Sequence, residues 1–354
     1  MARPILSLLL TLSVSMNAFA QRRVDSWIEK TFRSMSLDEK VGQLLVPVVR
    51  SGFRNVESED FSKLRRNIAD FKVGGYHVVG TDPAGLAVLI NDMQRTARVP
   101  LLITADLEGG TGYVIPFATR FPLAMAMGAA RSEQLAYEAA KATAAEARAV
   151  GINVDFYPVV DVQNNPANPI INIRSFGEDP ARVSSLAAAY IKGVQEAGVM
   201  ATAKHFPGHG DVSSDSHLTL PVLDVTRERL NAMELPPFKA AIEAGVGAVM
   251  SAHIYFPTLE PEKGLPATLS RNVLTGLLRE ELGFKGLLFT DALDMQGVAR
   301  DFTIEESAVR SVLAGADVVL FPIDVERTFN GLKQAVESGR LPMARLDEAV
   351  RRIL

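Results

Sequence analysis

A chain of 354 residues, 47% hydrophobic and 22% charged, with a mean hydropathy of +0.12, can bury a large core; disorder, collagen-like repeats and a small disulfide scaffold are excluded. The formal charge of −4, with a pI near 5.8, leaves no basic field to hold a polyanion, so nucleic acid is not an expected partner. The absence of cysteine removes disulfides, thiolate metal sites, cysteine nucleophiles and a lipidated N-terminal cysteine.

Met1 to Ala20 carries a positive charge at Arg3, an apolar run from Ile5 to Val14, and Ala18-Phe19-Ala20 just before Gln21-Arg22-Arg23. This pattern predicts a secretory signal peptide cleaved after about Ala20. An uncleaved anchor is the alternative, but the run falls short of the ~20 residues that a span needs. Export makes the protein secreted or periplasmic, with no membrane span after cleavage. Cofactors such as NAD or ATP are scarce there, which weighs against kinases and dehydrogenases.

Residues 21–354 read as one domain. Short apolar runs rich in β-branched residues fall at Gly42–Val49, Val73–Gly80, Pro100–Asp106, Ile152–Asp161, Met200–Phe206, Val246–His253, Gly286–Asp291 and Ala316–Pro322. Helical patterns lie at about 83–97, 131–150, 180–198, 227–245, 271–282, 303–315, 325–338 and 343–354. Gly151, Gly198, Gly245, Gly283 and Gly315 stand where left-handed caps are wanted before the next strand. Continuous apolar strands in βα alternation imply a parallel sheet covered on both faces. Eight such strands predict an α/β fold of the (β/α)8 TIM-barrel type. The alternative, an open doubly wound sheet, should show a phosphate-binding Gly-x-Gly-x-x-Gly after its first strand, and none follows Val49. The chain stops inside a helical pattern at Leu354, so a longer protein with a following domain is an expectation.

In such a barrel the chemistry sits at the C-terminal ends of the strands. Asp106, Asp161, Lys204 with His205, His253 and Asp291 all end predicted strands. Any one aspartate there could be the N-cap of the next helix, but five strands ending in ionisable groups point to a polar site. The densest segment is Lys204-His205-Phe206-Pro207-Gly208-His209-Gly210-Asp211, followed by Asp215-Ser216-His217. Its histidines and aspartates could ligate zinc, although the spacing matches no established metal motif. They could instead contain an Asp215–His217 dyad, the carboxylate orienting the imidazole for general acid/base work.

That segment, with Thr290-Asp291-Ala292-Leu293 after a strand, resembles glycoside hydrolase family 3, and within it the bacterial β-N-acetylglucosaminidases of the NagZ type. Further matches run in the family's order: Ala105-Asp106-Leu107-Glu108-Gly109-Gly110, Phe121-Pro122-Leu123-Ala124-Met125, Asn172-Ile173-Arg174-Ser175-Phe176-Gly177-Glu178-Asp179-Pro180 and Ser251-Ala252-His253. The resemblance implies that Asp291 is the nucleophile of a retaining glycosidase, that His217 is the acid/base with Asp215 as its partner, and that Asp106, Arg174, Lys204 and His205 bind the sugar's hydroxyls. It implies no cofactor and no metal, and a carbohydrate substrate, N-acetylglucosamine-containing glycan fragments of peptidoglycan or chitin type. A phosphorylase or a β-glucosidase of the same family is the alternative. Asp294 is a second potential attacker, His209 reads as part of the loop's fold, and His77 as a local feature. Two departures stand out: Thr111-Gly112-Tyr113 follows Gly110 where the family often has Arg-Val, and the expected leader contrasts with the family's cytoplasmic recycling enzymes.

Overall fold

The computed structural model describes residues 24–50, 57–80 and 82–354. The expected leader, Met1 to Ala20, lies outside the described residues. Among the described residues nine short strands follow in chain order: β1 (Leu45–Val46), β2 (Val48–Arg50), β3 (Gly75–Val79), β4 (Leu102–Ala105), β5 (Val154–Asp155), β6 (Met200–Phe206), β7 (Ala248–Ser251), β8 (Leu287–Phe289) and β9 (Val319–Leu320). From β2 to β8 they pair in sequence order, all parallel, while β9 pairs with β1 in the register Leu45↔Val319. A bridge between Phe289 and Val318 joins β8 to β9. Because β1 and β2 are halves of one strand separated at Pro47, which has no N–H to donate, the arrangement closes on itself as a TIM-type barrel.

Inward side chains at i and i+2 fill the lumen: Val154 and Phe156, Ala248 and Met250, Leu287 and Phe289, Val318 and Leu320, with Val46. This is the period of a strand with one face turned to the axis. A larger apolar cluster lies between the strands and the surrounding helices. Gly151, Gly198, Gly245, Gly283 and Gly315 all take positive φ, as the cap reading requires. Among the described residues three peptide bonds are cis: Tyr157–Pro158, Lys204–His205 and Phe206–Pro207. No helix among the described residues is long and apolar enough to cross a membrane.

The elements differ from the sequence pattern in several places. A helix over Glu59–Ala69 follows β2; it buries Phe61, Leu64 and Ile68 among charged neighbours, too sparse a stripe to stand out in the sequence. A second unanticipated helix, Ala124–Ala130, precedes Glu133–Ala149, the two separated by Arg131 at φ 52°. The expected helix over 227–245 is two, Arg227–Ala232 and Leu235–Glu243, because Pro236 and Pro237 can occupy only a first turn. The long run Ile152–Asp161 pairs as a regular strand only over Val154–Asp155, and its remainder continues irregularly alongside β6, with a bridge from Val159 to Lys204.

Candidate active site

The strand ends converge on a pocket of about 140 Å³ at the C-terminal mouth. Phe156, Met250 and Leu320 from the lumen contribute to its apolar part, with Ile170, Met295 and Phe321. Asp106, Arg174, Lys204, His205, His217 and Asp291 all reach it. Six of the seven residues expected from the sequence therefore line one cavity, and the seventh, Asp215, is bonded to His217.

One wall is an ion-pair clamp. Lys204 Nζ lies 2.5 Å from Asp106 Oδ1 and 2.8 Å from Glu108 Oε1. Arg174 grips Glu108 with two parallel bonds, Nε to Oε2 at 2.9 Å and Nη2 to Oε1 at 2.8 Å, the bidentate geometry that suits a guanidinium. Burial opposes the charge on Glu108, but Lys204 and Arg174 outweigh it and hold the carboxyl far below its ordinary range. Burial likewise opposes the charge on Lys204, yet Asp106 and Glu108 keep it protonated well above the usual range for lysine. Behind Asp106, His77 Nε2 stands 3.5 Å from Oδ2 while its Nδ1 meets Thr104 Oγ1 at 3.0 Å. Burial, with the charge of Lys204 adding to it against Asp106, brings His77 down to about 4, so it is neutral at neutral pH.

A second wall is built on Asp161. The carboxylate accepts from the His205 amide at 3.2 Å, the His209 amide at 2.7 Å and His205 Nδ1 at 2.7 Å. It caps no helix: it ties the end of β6 to the loop that follows. Burial disfavours its charge, but His205 and the other donors win and lower its pKa. The register of β6 against β7 shifts between Lys204 and Phe206. Regular pleating would send Lys204 and His205 to opposite faces, and the irregularity lets both reach the pocket.

Asp291 follows β8. Its Oδ1 accepts from the Ala292 amide at 2.8 Å, and although burial opposes ionisation, His253, His205, that amide and Lys204 draw the pKa below its ordinary value. An ionised carboxylate with one oxygen fixed is suited to nucleophilic attack. Across the pocket His217 Nδ1 lies 2.8 Å from Asp215 Oδ1, which also accepts the His217 amide at 2.8 Å. With Nδ1 engaged, Nε2 is the ring atom available for proton transfer. The His217 side chain is 55% exposed. Burial would raise the Asp215 pKa, but these bonds to His217 lower it.

Several expectations are refined. His253 bonds to Thr268 Oγ1 and to the Ala292 carbonyl at 2.8 and 2.9 Å, so it braces the segment after Asp291. Asp211 pairs with Arg229 at 3.0 Å, and among the described residues no group of three or more histidines and carboxylates is set to hold a metal ion. Arg174 joins Glu108, and Asp179 caps its helix through the Ala181 amide. Glu108 is the member the sequence does not single out, and His77, expected to be a local feature, stands behind Asp106. Glu108 stands two residues past Asp106, in a motif that gives no hint of its partners.

Similarity to known proteins identifies the family and the fold. The family model described as the glycosyl hydrolase family 3 N terminal domain matches residues 36–354. A β-N-acetylglucosaminidase/β-glucosidase of Cellulomonas fimi is 36% identical over 337 residues, covering 93% of this chain and 58% of that protein. A family 3 β-N-acetylglucosaminidase from Paenibacillus sp. superposes with a TM-score of 0.84 at 44% identity, covering 90% of this chain and 62% of that one. The β-glucoside phosphorylase BglX superposes with a TM-score of 0.87 at 31% identity, covering 93% and 59%. The chain thus spans a little over half the length of these relatives. A family model covering residues 36–354 and a relative of this identity lead to one conclusion: the chain belongs to glycoside hydrolase family 3.

Proposed function

We propose that this barrel is the catalytic part of a retaining exo-β-N-acetylglucosaminidase, exported from the cytoplasm, that removes terminal β-linked N-acetylglucosamine from peptidoglycan- or chitin-type fragments. The observation that carries the reading is the meeting of Asp291 and the Asp215–His217 pair at one pocket where Asp106, Lys204, Arg174 and His205 are held in ion pairs.

Asp291 attacks the anomeric carbon as the glycosidic C–O bond breaks, and the departing oxygen takes a proton from His217 Nε2. The product is a glycosyl ester on Asp291. In the second half, His217 removes a proton from water, whose oxygen bonds to the anomeric carbon as Asp291 leaves. Asp215 stabilises the imidazolium through Nδ1 and fixes the ring. Asp106 accepts sugar hydroxyl hydrogens, while Arg174, Lys204 and His205 offer donors; Glu108 holds the two cations in place. Such fixed contacts favour a near-attack geometry.

Similarity to a β-glucoside phosphorylase supports a second reading, in which phosphate replaces water in the second half. One panel decides: p-nitrophenyl β-N-acetylglucosaminide against β-glucoside, each with and without phosphate. The expected result is N-acetylglucosaminide turnover that phosphate leaves unchanged. Strong stimulation with a sugar-1-phosphate product gives the phosphorylase, and preference for glucoside gives a β-glucosidase.

A further inference from the structure

Asp215 and His217 are both accessible, with side chains 26% and 55% exposed, but Ser216 between them is buried at 1%. Its hydroxyl lies 2.9 Å from His209 Nε2. Its carbonyl accepts from the Gly297 amide at 3.2 Å, and the His217 carbonyl from the Gln296 amide at 3.4 Å. The residue between the dyad members therefore docks the loop against two supports, His209 on one side and the segment after Asp291 on the other.

His209 is itself immobilised. Its amide donates to Asp161 at 2.7 Å, its carbonyl accepts from Asn168 Nδ2 at 2.7 Å, and its ring packs 5.7 Å from that of His205. At Gly210 a Cβ would lie 1.8 Å from the Val162 carbonyl oxygen, so the loop base is pressed onto the barrel. Burial, reinforced by His205, lowers the His209 pKa to about 4, and the ring is neutral at neutral pH. Its Nδ1 is buried without a partner among the described residues, which leaves Ser216 as the ring's hydrogen-bond partner. Within the loop the Leu218 and Thr219 amides bond back to the Asp215 carbonyl at 3.0 Å, which makes residues 215–219 a compact turn that moves as a unit.

We propose that His209 is a positioning residue for the acid/base: through the Ser216 hydroxyl it holds the Asp215–His217 turn over Asp291, and His217 serves the pocket while that bond is made. The kinetic consequence rests on the proposed glycosidase reading; the docking itself does not.

The test uses the full chain with Ser216→Ala, His209→Gln and the double variant. Ser216→Ala removes one oxygen and should leave the fold intact. Amide hydrogen exchange at residues 215–219 should become about tenfold faster in Ser216→Ala, the loss expected of one buried hydrogen bond. Turnover of a glycoside with a poor leaving group should fall about tenfold, and that of an activated aryl glycoside far less, because only the former needs the acid. The double variant should be no worse than the more impaired single one, since both remove the same bond. Unchanged exchange at 215–219 in Ser216→Ala overturns the proposal. So do equal losses on both substrates accompanied by a lowered Tm, the mark of a merely structural role. If the wild-type chain turns over no glycoside, the functional reading fails, and the exchange measurement still decides the docking.

Discussion

Of the aspartate–histidine pairs near the mouth, the two tightest, Asp161–His205 at 2.7 Å and Asp215–His217 at 2.8 Å, have surroundings that make them different tools. Asp161 is fully buried, His205 is 7% exposed, and the carboxylate is saturated by two backbone amides as well as the ring. Asp215 and His217 sit on a turn open to solvent. A buried, saturated pair is a fixed strut, because moving a proton through it would leave a charge uncompensated. An accessible pair can exchange its proton with water and with a leaving group on every cycle. Distance does not separate the roles; access does.

The largest expected effect lies at Asp291, which shares the pocket with the histidine of each pair. Asp291→Asn should lower turnover by roughly a thousandfold or more with Tm nearly unchanged, measured by steady-state kinetics beside a thermal melt. A fluorinated glycoside that reacts but hydrolyses slowly should add its mass to the peptide containing Asp291 and to no other. Next, His217→Ala should cost about a hundredfold on poor leaving groups and far less on activated aryl glycosides. Equal losses on the two would make the accessible pair a strut like the buried one.

The contrast between the pairs was only half legible in the sequence. Asp161, His205, Asp215 and His217 are readable because strands end in them or a glycine-loosened loop carries them. Their different exposure is set by contacts between separate segments: Asp161 gathers donors from His205 and His209, whose loop Asn168 and Val162 hold, while Asp215 and His217 flank the docked Ser216 and stay open to solvent. The eight strands are legible for a local reason: a run apolar on both faces survives any tertiary context. The helix Glu59–Ala69 is hidden because three apolar contacts suffice to seat it. Glu108 is hidden because its meaning is supplied by Lys204 and Arg174, which are remote in sequence.

Substituting the carboxylates of the two pairs sharpens the comparison. Asp161→Asn should cost about 3 kcal/mol of stability by chemical denaturation, since it leaves buried donors facing a weaker acceptor. Asp215→Asn should change stability by less than about 0.5 kcal/mol and act on turnover instead. Acid separates them further. The folded-state pKa of Asp161 is depressed, so its contribution is fully present above the unfolded value of about 3.9 and is lost as pH falls through the folded one. The Asp161→Asn variant should therefore show a shallower loss of stability on acidification than the wild type.

The smallest expected effect comes from a third aspartate, as buried as Asp161 but shifted the other way. Asp155 accepts from Tyr190 Oη at 3.0 Å and from the Leu107 amide at 3.2 Å, and among the described residues no cation forms an ion pair with it. Burial therefore wins, and its pKa is pushed up to about 8, against the lowered value of Asp161 beside His205. Between about pH 4 and 8 the folded chain holds a proton on Asp155 that the unfolded chain releases, so this group makes stability fall as pH rises through that window. Asp155→Asn, which keeps an acceptor for the Leu107 amide and cannot ionise, should flatten the dependence of Tm on pH between 5 and 8. A dependence as steep as the wild type's would mean that Asp155 is ionised in the folded chain. Burial alone would then not account for the difference between the two aspartates, and the histidine beside Asp161 would lose its place as the cause.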